Sequence, residues 1–368
     1  MRTIMINGVE IYGDAEPHGP QRFGAEVVNA LDKLDLSGVK IEVIVPKSLV
    51  DLGRVPCFSN LKIVALDYDL NKFKGRFLFS KLTFPRYVTK NGGYGVDLVL
   101  SYPLYGCKAV CLFDCIIKES MENYRTVKDK LWRKKYLFFE TNAIKRANLI
   151  ITISEISKQK IIDDYKIDNS KIIVSGTGYE HITRIKSDTA LLEKESLMPN
   201  NYFFSAGVGS DRKNFKWILS AAVNNPGCTF VVAGSCDKSL LEKLNDKKLS
   251  NLRIVGFVTD EQYKGLLENC IAYIQPSFDE GFGIPPLEAL ALGRKAIVSN
   301  IPIFNEIYGN SVYYIDPYNY NNSDIESILK NTVLPPDEIL KKYSWNNISQ
   351  IILEKIINDI NRKNKGHI

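Results

Sequence analysis

Two carboxylates, Glu280 and Glu288, flank a loop rich in glycine and proline within the stretch PSFDEGFGIPPLEALALG. Between them, Gly281 and Gly283 allow the backbone to approach a ligand closely and offer amide N–H groups to an anion. Carboxylates accept hydrogen bonds from hydroxyl groups, whereas backbone amides bind phosphate. A glycine-rich turn with a capping acid would explain any one of these features. Their combination indicates a site for a sugar nucleotide.

A second candidate lies in the stretch SAGVGSDRKNFKWIL, where Gly207 precedes the basic pair Arg212 and Lys213. Two cations beside the amino end of a helix are suited to binding a diphosphate. A basic pair near a helix is more often solvated surface. Its position after the first strand predicted in the second half of the chain favours the ligand interpretation.

Apolar, β-branched runs alternate with segments of helical periodicity along nearly the whole chain, which is typical of parallel sheets covered by crossover helices. Helices are predicted at 21–34 and 345–361. A third is predicted to begin after Ser154, which would cap it, and a fourth to begin at the Pro285–Pro286 pair. The helix at Pro285 would place Glu288 in its first turn, where the helix dipole favours the ionised carboxylate. The predicted strands are 3–7, 41–45, 61–65, 98–101, 109–112, 149–153, 172–174, 202–206, 229–233, 253–255, 272–275, 296–299 and 312–315.

The length of 368 residues exceeds what one hydrophobic core usually organises, so two domains are expected. The predicted fold is α/β, with Rossmann-like parallel-sheet domains at 1–185 and 186–345 that face each other across a cleft. A helix at 346–368 is expected to follow the second domain and pack back on the first. Ligands of such sheets bind at the carboxyl ends of the strands.

Composition is that of an ordinary soluble globular protein, with 45% hydrophobic and 24% charged residues. No apolar run is long enough to cross a membrane, and the amino-terminal residues are too polar for a signal peptide. A cytoplasmic location is therefore expected. The seven cysteines include no Cys-x-x-Cys pair, which favours reduced, buried thiols over disulfides or a zinc site.

The net charge of +6 belongs to the first half of the chain, where residues 1–190 contain 29 Lys and Arg against 22 Asp and Glu. Within residues 72–90, basic side chains alternate with aromatic ones. This pattern suits an anionic membrane surface and, less well, a nucleic acid. A solvated loop that contributes a few aromatic residues to the core is an equally good interpretation.

The motifs G-x-G-x-x-R-K-N, V-V-A-G, I-V-G-F-V and P-S-x-x-E-G-F-G-I-P-P-L-E-A-L-A-L-G together resemble those of retaining glycosyltransferases of the GT-B fold, specifically family four. The resemblance covers nearly the whole chain and is densest between residues 205 and 317. In the first half, I-I-T-I-S-E-I-S-K at 150–158 and the loop at 19–24 are similar to the family less specifically.

The resemblance implies a role for each matching position. Arg212 and Lys213 would bind the diphosphate and neutralise the leaving group, Glu280 would contact the donor sugar, and Glu288 would contact the ribose. Further donor-binding positions would be Gly19, Gly207, Phe257, Val258, Gly281, Phe282, Gly283 and Ile284, with Gly19 approaching the diphosphate from across the cleft and the backbone at Phe257 and Val258 facing the base. Such enzymes usually need no metal or cofactor.

One departure from the family pattern is the stretch VCLFDC, where Phe113 occupies the position of a common histidine before Asp114. Asp114 is the nearest polar group left to orient an acceptor. His18 is another candidate in a loop, although an isolated loop histidine is more often only solvated.

The sequence therefore predicts an enzyme that moves a sugar from a nucleotide-diphosphate-sugar to a glycan acceptor held by the first domain. By analogy with the family, that acceptor is lipid-linked and belongs to surface polysaccharide synthesis at the inner face of the plasma membrane. A catalytically silent donor-binding subunit and a nucleotide-sugar epimerase are the alternatives. A nucleic-acid partner is not expected.

Overall fold

A computed structural model describes residues 3–15, 19–72, 74–119, 126–207, 209–234, 249–321 and 323–365 of the protein. The chain divides into two compact units. The first comprises Met1–Thr177 together with Trp345–Ile368, and the second comprises Gly178–Ser344.

In the part of the first unit that is described, seven strands form one parallel sheet in the order β3-β2-β1-β4-β5-β6-β7. Because consecutive strands are parallel, their carboxyl ends share one edge of the sheet. The strands are β1 (Thr3–Asn7), β2 (Lys40–Pro46), β3 (Lys62–Leu66), β4 (Tyr94–Asp97), β5 (Cys107–Cys111), β6 (Leu149–Thr152) and β7 (Ile172–Val174).

Helices of this unit pack on the sheet, several of them through an apolar face. In α1, for example, Phe23, Val27 and Leu31 recur at helical spacing and are buried. The helices are α1 (Gly19–Leu31), α2 (Lys47–Asp51), α3 (Gly75–Leu78), α4 (Phe84–Lys90), α5 (Ile116–Glu119), α6 (Val127–Arg146) and α7 (Glu155–Tyr165), with a π-helical turn at Phe79–Thr83. The predicted Ser154 cap is confirmed, since its side chain accepts a hydrogen bond from the backbone N–H of Ser157.

The second unit repeats this architecture with a parallel sheet of six strands among its described residues, in the order β10-β9-β8-β11-β12-β13. The strands are β8 (Tyr202–Ala206), β9 (Thr229–Ala233), β10 (Leu252–Gly256), β11 (Ala272–Gln275), β12 (Lys295–Ser299) and β13 (Tyr313–Ile315). The helices are α8 (Glu180–Arg184), α9 (Ala190–Lys194), α10 (Phe215–Asn224), α11 (Asp260–Glu268), α12 (Ile284–Ala291), α13 (Pro302–Tyr308), α14 (Ile325–Leu329) and α15 (Asp337–Lys342). The predicted α/β fold with two parallel-sheet units is therefore confirmed.

The strand predicted at 98–101 is wrong, because the chain pairs through β4, which ends at Asp97. The Asp97 carboxylate is fully buried and accepts hydrogen bonds from the Ser101 hydroxyl and the Tyr102 backbone N–H. These bonds turn the chain, and Leu100 and Tyr102 take left-handed backbone conformations that no strand contains. The apolar run after β4 is thus a buried turn.

Among the described residues of 72–90, several of the basic and aromatic side chains lie in the interior, while Lys72, Lys74, Arg86 and Lys90 are exposed. The rings of Phe79 and Phe84 are completely buried. Lys81 is also buried and donates to backbone carbonyls, while Arg76 forms ion pairs with Glu10 and Asp14. Much of this segment therefore belongs to the interior of the first unit. Among the described residues, no helix is long and apolar enough to span a membrane.

The last helix, α16 (Trp345–Lys365), packs against α1 in the first unit. The Trp345 ring meets Phe23 edge-on at 5.7 Å, and Phe23 meets Phe113 in the same way at 4.8 Å. At the other end of the helix, Asp359 accepts hydrogen bonds from the Tyr94 hydroxyl (2.7 Å) and the Asn148 amide (2.8 Å). Aromatic packing and a polar contact therefore both attach α16 to the sheet.

We expect Asp359→Ala to lower the free energy of unfolding of the first unit by about 1–3 kcal/mol, because it leaves two partly buried donors without their acceptor. Urea unfolding followed by circular dichroism measures this change. Glu354→Ala on the exposed side of the same helix is the matched control and should change stability little. Equal effects of the two substitutions would show that Asp359 does not anchor the helix.

Candidate functional site

The predicted site residues of the second unit gather at the carboxyl ends of β8 and β11, which are neighbouring parallel strands. The loop after β8 contains Gly207 and a 3₁₀ turn at Asp211–Lys213. The loop after β11 contains Glu280 and leads into α12. Sheets of this kind bind their ligands at this edge.

Arg212, Lys213 and Glu280, which sequence reasoning had assigned to one site, are in direct contact. Arg212 donates from Nη1 to Glu280 Oε2 at 2.7 Å, and Lys213 donates from Nζ to Glu280 Oε1 at 2.7 Å. The Glu280 side chain is 7% exposed, whereas those of Arg212 and Lys213 are 32% and 21% exposed. The carboxylate thus lies beneath two cations that keep part of their surface in solvent.

Two neutral donors complete the environment of Glu280. Gln275 Nε2 and Ser277 Oγ both donate to Oε1, at 2.8 and 2.7 Å. Burial by itself raises the pKa of Glu280, but the charges of Lys213 and Arg212 and these hydrogen bonds outweigh it and hold the pKa below its usual value. Glu280 is therefore ionised at neutral pH.

Asn214, which sequence reasoning missed, connects the two loops. It adopts a left-handed conformation (φ 53°) directly after the basic pair and is 2% exposed. Its side-chain amide donates to the carbonyls of Pro276 (2.9 Å) and Pro317 (2.8 Å). The only sequence signal is its position after Arg-Lys, where an asparagine tolerates positive φ. Asn214 fixes the basic pair against the loop that carries Glu280.

The glycine-rich loop after Glu280 has a specific backbone shape. Gly283 has φ 90°, and a Cβ atom there would lie 2.4 Å from the Phe304 ring. The Tyr308 hydroxyl donates to the Gly283 carbonyl. Gly281 is half-buried, whereas the Phe282 ring is buried edge-on against Tyr343 at 5.0 Å. Phe282 as a whole is 3% exposed, so its ring supports the loop from the interior.

Glu288 lies in the second turn of α12, not the first as predicted, because the helix begins at Ile284, before the proline pair. The carboxylate is instead bound by side chains. His181 Nε2 lies 2.7 Å from Oε1, and the Tyr263 hydroxyl donates to Oε2 at 2.7 Å. His181 comes from α8 and Tyr263 from α11, so three helices meet at this buried carboxylate. Sequence reasoning missed both partners.

The two glutamates act electrostatically on the same buried phenol, Tyr273 of β11. Burial raises the pKa of Tyr273, and the charges of Glu288 and Glu280 raise it further. The hydroxyl accepts a hydrogen bond from the Ala206 backbone N–H at the end of β8. The Glu280 cluster and the Glu288 cluster therefore belong to one electrostatic region of the second unit.

The remaining donor-binding candidates of this unit lie around the same edge. Gly207 follows β8 with φ 77°, and its added Cβ would be 3.9 Å from Lys213 Cε. Phe257 and Val258 follow β10, where the Phe257 ring is 85% exposed and Val258 packs partly into the core. Ile284 is the first residue of α12 and is half-buried.

The candidates in the first unit occupy the equivalent edge of its own sheet. Gly19 begins α1, which follows β1, and Asp114 is half-buried after β5. Phe113 is 9% exposed and packs on Phe23, so its ring belongs to the core beneath α1. His18 lies outside the described residues.

A cavity of about 880 Å³ lies away from this edge, near the beginnings of β6 and β7 at Leu149 and Ile172. It is therefore at the end of the sheet opposite to the predicted ligand edge. Across the described part of the chain, His, Cys, Asp and Glu side chains form no group of three that could hold a metal ion.

Comparison with known proteins finds relatives with this architecture. Residues 189–345 match the family described as Glycosyl transferases group 1. The O-antigen chain mannosyltransferase RfbU of Salmonella typhimurium is 30% identical over 240 residues, which cover 61% of this chain and 64% of that protein. The O-antigen chain mannosyltransferase B of Escherichia coli is 26% identical over 215 residues, covering 55% and 54%. The matches span less than two thirds of either relative.

Solved structures extend the likeness in fold to almost the entire chain. Anabaena Alr3699/HepE in complex with UDP superposes with a TM-score of 0.67 at 14% identity, covering 97% of this chain and 100% of that one. The catalytic domain of starch synthase IV from Arabidopsis thaliana, bound to ADP and acarbose, gives 0.66 at 12% identity, covering 98% and 99%. The comparisons support the predicted resemblance: residues 189–345 match the group 1 glycosyl transferases, and the chain has the two-domain GT-B fold.

Proposed function

We propose that the protein is a retaining glycosyltransferase that moves a sugar from a nucleotide-diphosphate-sugar to a glycan acceptor in surface polysaccharide synthesis. The observation that carries the proposal is the contact of Arg212 and Lys213 with the buried Glu280 at the carboxyl ends of β8 and β11. This arrangement presents two fixed cations at the edge of the sheet where a diphosphate is expected.

The positive charge has a direct chemical use in this reaction. When the bond between the anomeric carbon and the diphosphate breaks, negative charge develops on the departing oxygen. Cations fixed in advance stabilise that charge without reorganising during the reaction. Arg212 presents further N–H groups beyond the one that binds Glu280, so it can hold Glu280 and a phosphate oxygen together. In transfer on the same face, the departing oxygen can itself accept the proton of the acceptor hydroxyl.

We propose separate roles for the two glutamates, supported by their contacts. Glu280 Oε1 accepts from three side chains, whereas Oε2 accepts from Arg212. Glu280 therefore positions the cations, and Oε2 is the atom to which a donor-sugar hydroxyl would bind. Glu288 is held by His181 and Tyr263, and each of its oxygens keeps a further lone pair that could accept a hydrogen bond from a ribose hydroxyl. From the motifs between residues 205 and 317 we infer membership of family four and retention of the anomeric configuration.

The relatives support the class of substrate. Two of them are named as O-antigen chain mannosyltransferases, and one solved neighbour holds UDP and glucose. We infer a nucleotide-sugar donor and a lipid-linked glycan acceptor for this chain.

We further propose a peripheral contact with an anionic membrane, through the outer face of α6. Val127, Leu131 and Phe138 share one side of this helix and are 85%, 67% and 63% exposed. Basic side chains flank them: Lys128, Lys130, Lys134, Lys145 and Arg146. The cations complement the negative charge of an anionic lipid surface, and the apolar side chains between them can enter its interface. This face replaces residues 72–90 as the proposed site of contact.

We expect Arg212→Ala and Glu288→Gln each to lower donor-dependent transfer by roughly 30- to 1000-fold, the equivalent of about 2–4 kcal/mol. Arg212→Ala removes a positive charge at the diphosphate, and Glu288→Gln weakens binding of the ribose. Transfer from a panel of radiolabelled nucleotide sugars to membrane extract measures the effect.

Lys216→Ala, on the exposed side of α10, is the matched control for Arg212 and should retain activity. Near-normal turnover in both site variants would contradict the assignment of Arg212 and Glu288 to the donor site. Wild-type protein that binds donor but transfers no sugar would indicate a silent subunit, and an isomerised donor would indicate an epimerase.

We expect the activity to persist in the presence of EDTA, because Arg212 and Lys213 supply the positive charge that a metal ion provides in other transferases. Initial rates with and without chelator, before and after adding Mg²⁺ or Mn²⁺, test this. Loss of activity that either metal restores would contradict metal independence.

We expect the protein to sediment with vesicles containing anionic phosphatidylglycerol more than with neutral phosphatidylcholine vesicles, and high salt should reverse the binding. Leu131→Ser with Phe138→Ser should reduce binding at least ~5-fold, because these apolar side chains enter the interface. Lys72→Ser with Lys74→Ser is the control. A larger loss of vesicle binding in the control than in the α6 variant would indicate that residues 72–90, and not α6, contact the membrane.

A further inference from the structure

A cavity of about 500 Å³ opens in the first unit, where its sheet presents the carboxyl ends of β1 and β4. It lies between the loop after β1, the loop after β4, the π-helical turn and one side of α6. Strands β1 and β4 are neighbours, and the edge at which they end is where such sheets bind ligands. None of the predicted site residues lines this cavity.

The loop after β4 is held in an unusual conformation. Leu100 and Tyr102 have φ values of 54° and 47°, which are uncommon for large side chains. Asp97 fixes the turn by accepting from Ser101 Oγ (2.7 Å) and the Tyr102 N–H (2.8 Å), and Asn7 donates to Ser101 Oγ at 2.9 Å. Strained backbone persists where surrounding contacts enforce it, and such places cluster at ligand sites.

A buried lysine from the π-helical turn extends into this region. Lys81 is 7% exposed and donates to the carbonyls of Ser101 and Tyr102, which use two of its three N–H groups. Its Nζ also lies 4.4 Å from the centre of the Phe139 ring. Burial lowers the pKa of Lys81 to about 8, against the opposing charges of Asp97 and Glu10, so the side chain remains mostly protonated at pH 7. Short π-helical turns are frequent at functional sites.

The wall formed by α6 is aromatic. The rings of Trp132 and Tyr136 are stacked, with centres 5.3 Å apart and planes at 23°. Lys135 from the same helix lies 4.4 Å above Phe77. Trp132 is half exposed, so part of its ring is accessible from the cavity. A pyranose ring presents C–H groups on its faces and hydroxyls at its rim, which suits it to packing on such a wall.

Charge identifies the second part of the ligand. Three cations line the cavity, Arg76, Lys81 and Lys135, against one carboxylate, Glu10. Glu10 already accepts from Arg76 (2.8 Å) and from Ser80 (3.2 Å). Because Arg76 is also paired with Asp14, Lys81 and Lys135 are the cations of the lining that supply positive charge beside the aromatic wall. A phosphate group would neutralise the cations, and a sugar ring would pack against the aromatic side chains of α6.

We propose that this cavity binds a glycosyl phosphate, with the phosphate near Lys81 and Lys135 and the sugar ring against Trp132. In a lipid-linked acceptor, this group is the sugar attached to the carrier phosphate. That identification as the acceptor site rests on the proposed function, whereas binding of the glycosyl phosphate does not.

Calorimetric titration of the full chain, without nucleotide, tests the proposal with the 1-phosphates of mannose, glucose, galactose and N-acetylglucosamine. At least one should bind, and Lys135→Gln and Trp132→Ala should each weaken it by ~10-fold or more. Lys90→Gln, at the exposed end of α4 in the same unit, is the matched control and should leave affinity unchanged. Circular dichroism and unfolding midpoints establish that each variant is folded.

Several results would overturn the proposal: no binding by any of the four, equal binding of inorganic phosphate or of the free sugars, or loss of binding in Arg212→Ala but not in Lys135→Gln. A short prenyl diphosphate sugar that binds more tightly than the matching 1-phosphate identifies a lipid-linked source, and equal binding identifies the free compound. Wild-type transfer activity without glycosyl phosphate binding would refute this site alone. Binding without any transfer would refute the proposed function alone.

Discussion

The candidate site of the second unit depends on one buried carboxylate. Arg212 and Lys213 are consecutive residues, and their charges repel when held in one place. Glu280 compensates that repulsion from below, and its own burial is tolerated because four side-chain donors surround it. Without the carboxylate, two flexible cations would extend into water and meet a diphosphate only after losing side-chain entropy. The cluster is thus organised before any ligand arrives.

The sequence was sufficient to predict this cluster and the sheets that carry it. The basic pair and Glu280 each follow a strongly apolar strand, and parallel strands bring their carboxyl ends to one edge. The environment of Glu288 could not be predicted in the same way. His181 and Tyr263 come from separate helices, and His181 is 107 positions away from Glu288 in the sequence. No local pattern encodes a contact of that kind.

Two other differences have physical causes. Strand β4 consists of Tyr-Gly-Val-Asp, which is less apolar than the turn that follows it, so hydrophobicity alone selected the wrong segment. In residues 72–90, composition did not reveal which aromatic rings face inward. Helix α6 shows the reverse: it buries Glu140 against Tyr102 while exposing Leu131 and Phe138. Periodicity predicts a buried face only where the exposed face is polar.

The return of α16 to the first unit has a consequence for synthesis of the chain. Trp345 completes the aromatic cluster that contains Phe23 and Phe113, yet more than 200 residues separate it from the latter. On a ribosome, all of the second unit emerges before that cluster can close. The second unit is one continuous segment and can therefore fold first. Until α16 is synthesised, the face of α1 that it covers stays exposed. The second unit is thus expected to complete its fold before the first unit, although most of the first unit is synthesised earlier. Chaperones would bind the exposed face of α1 during that interval.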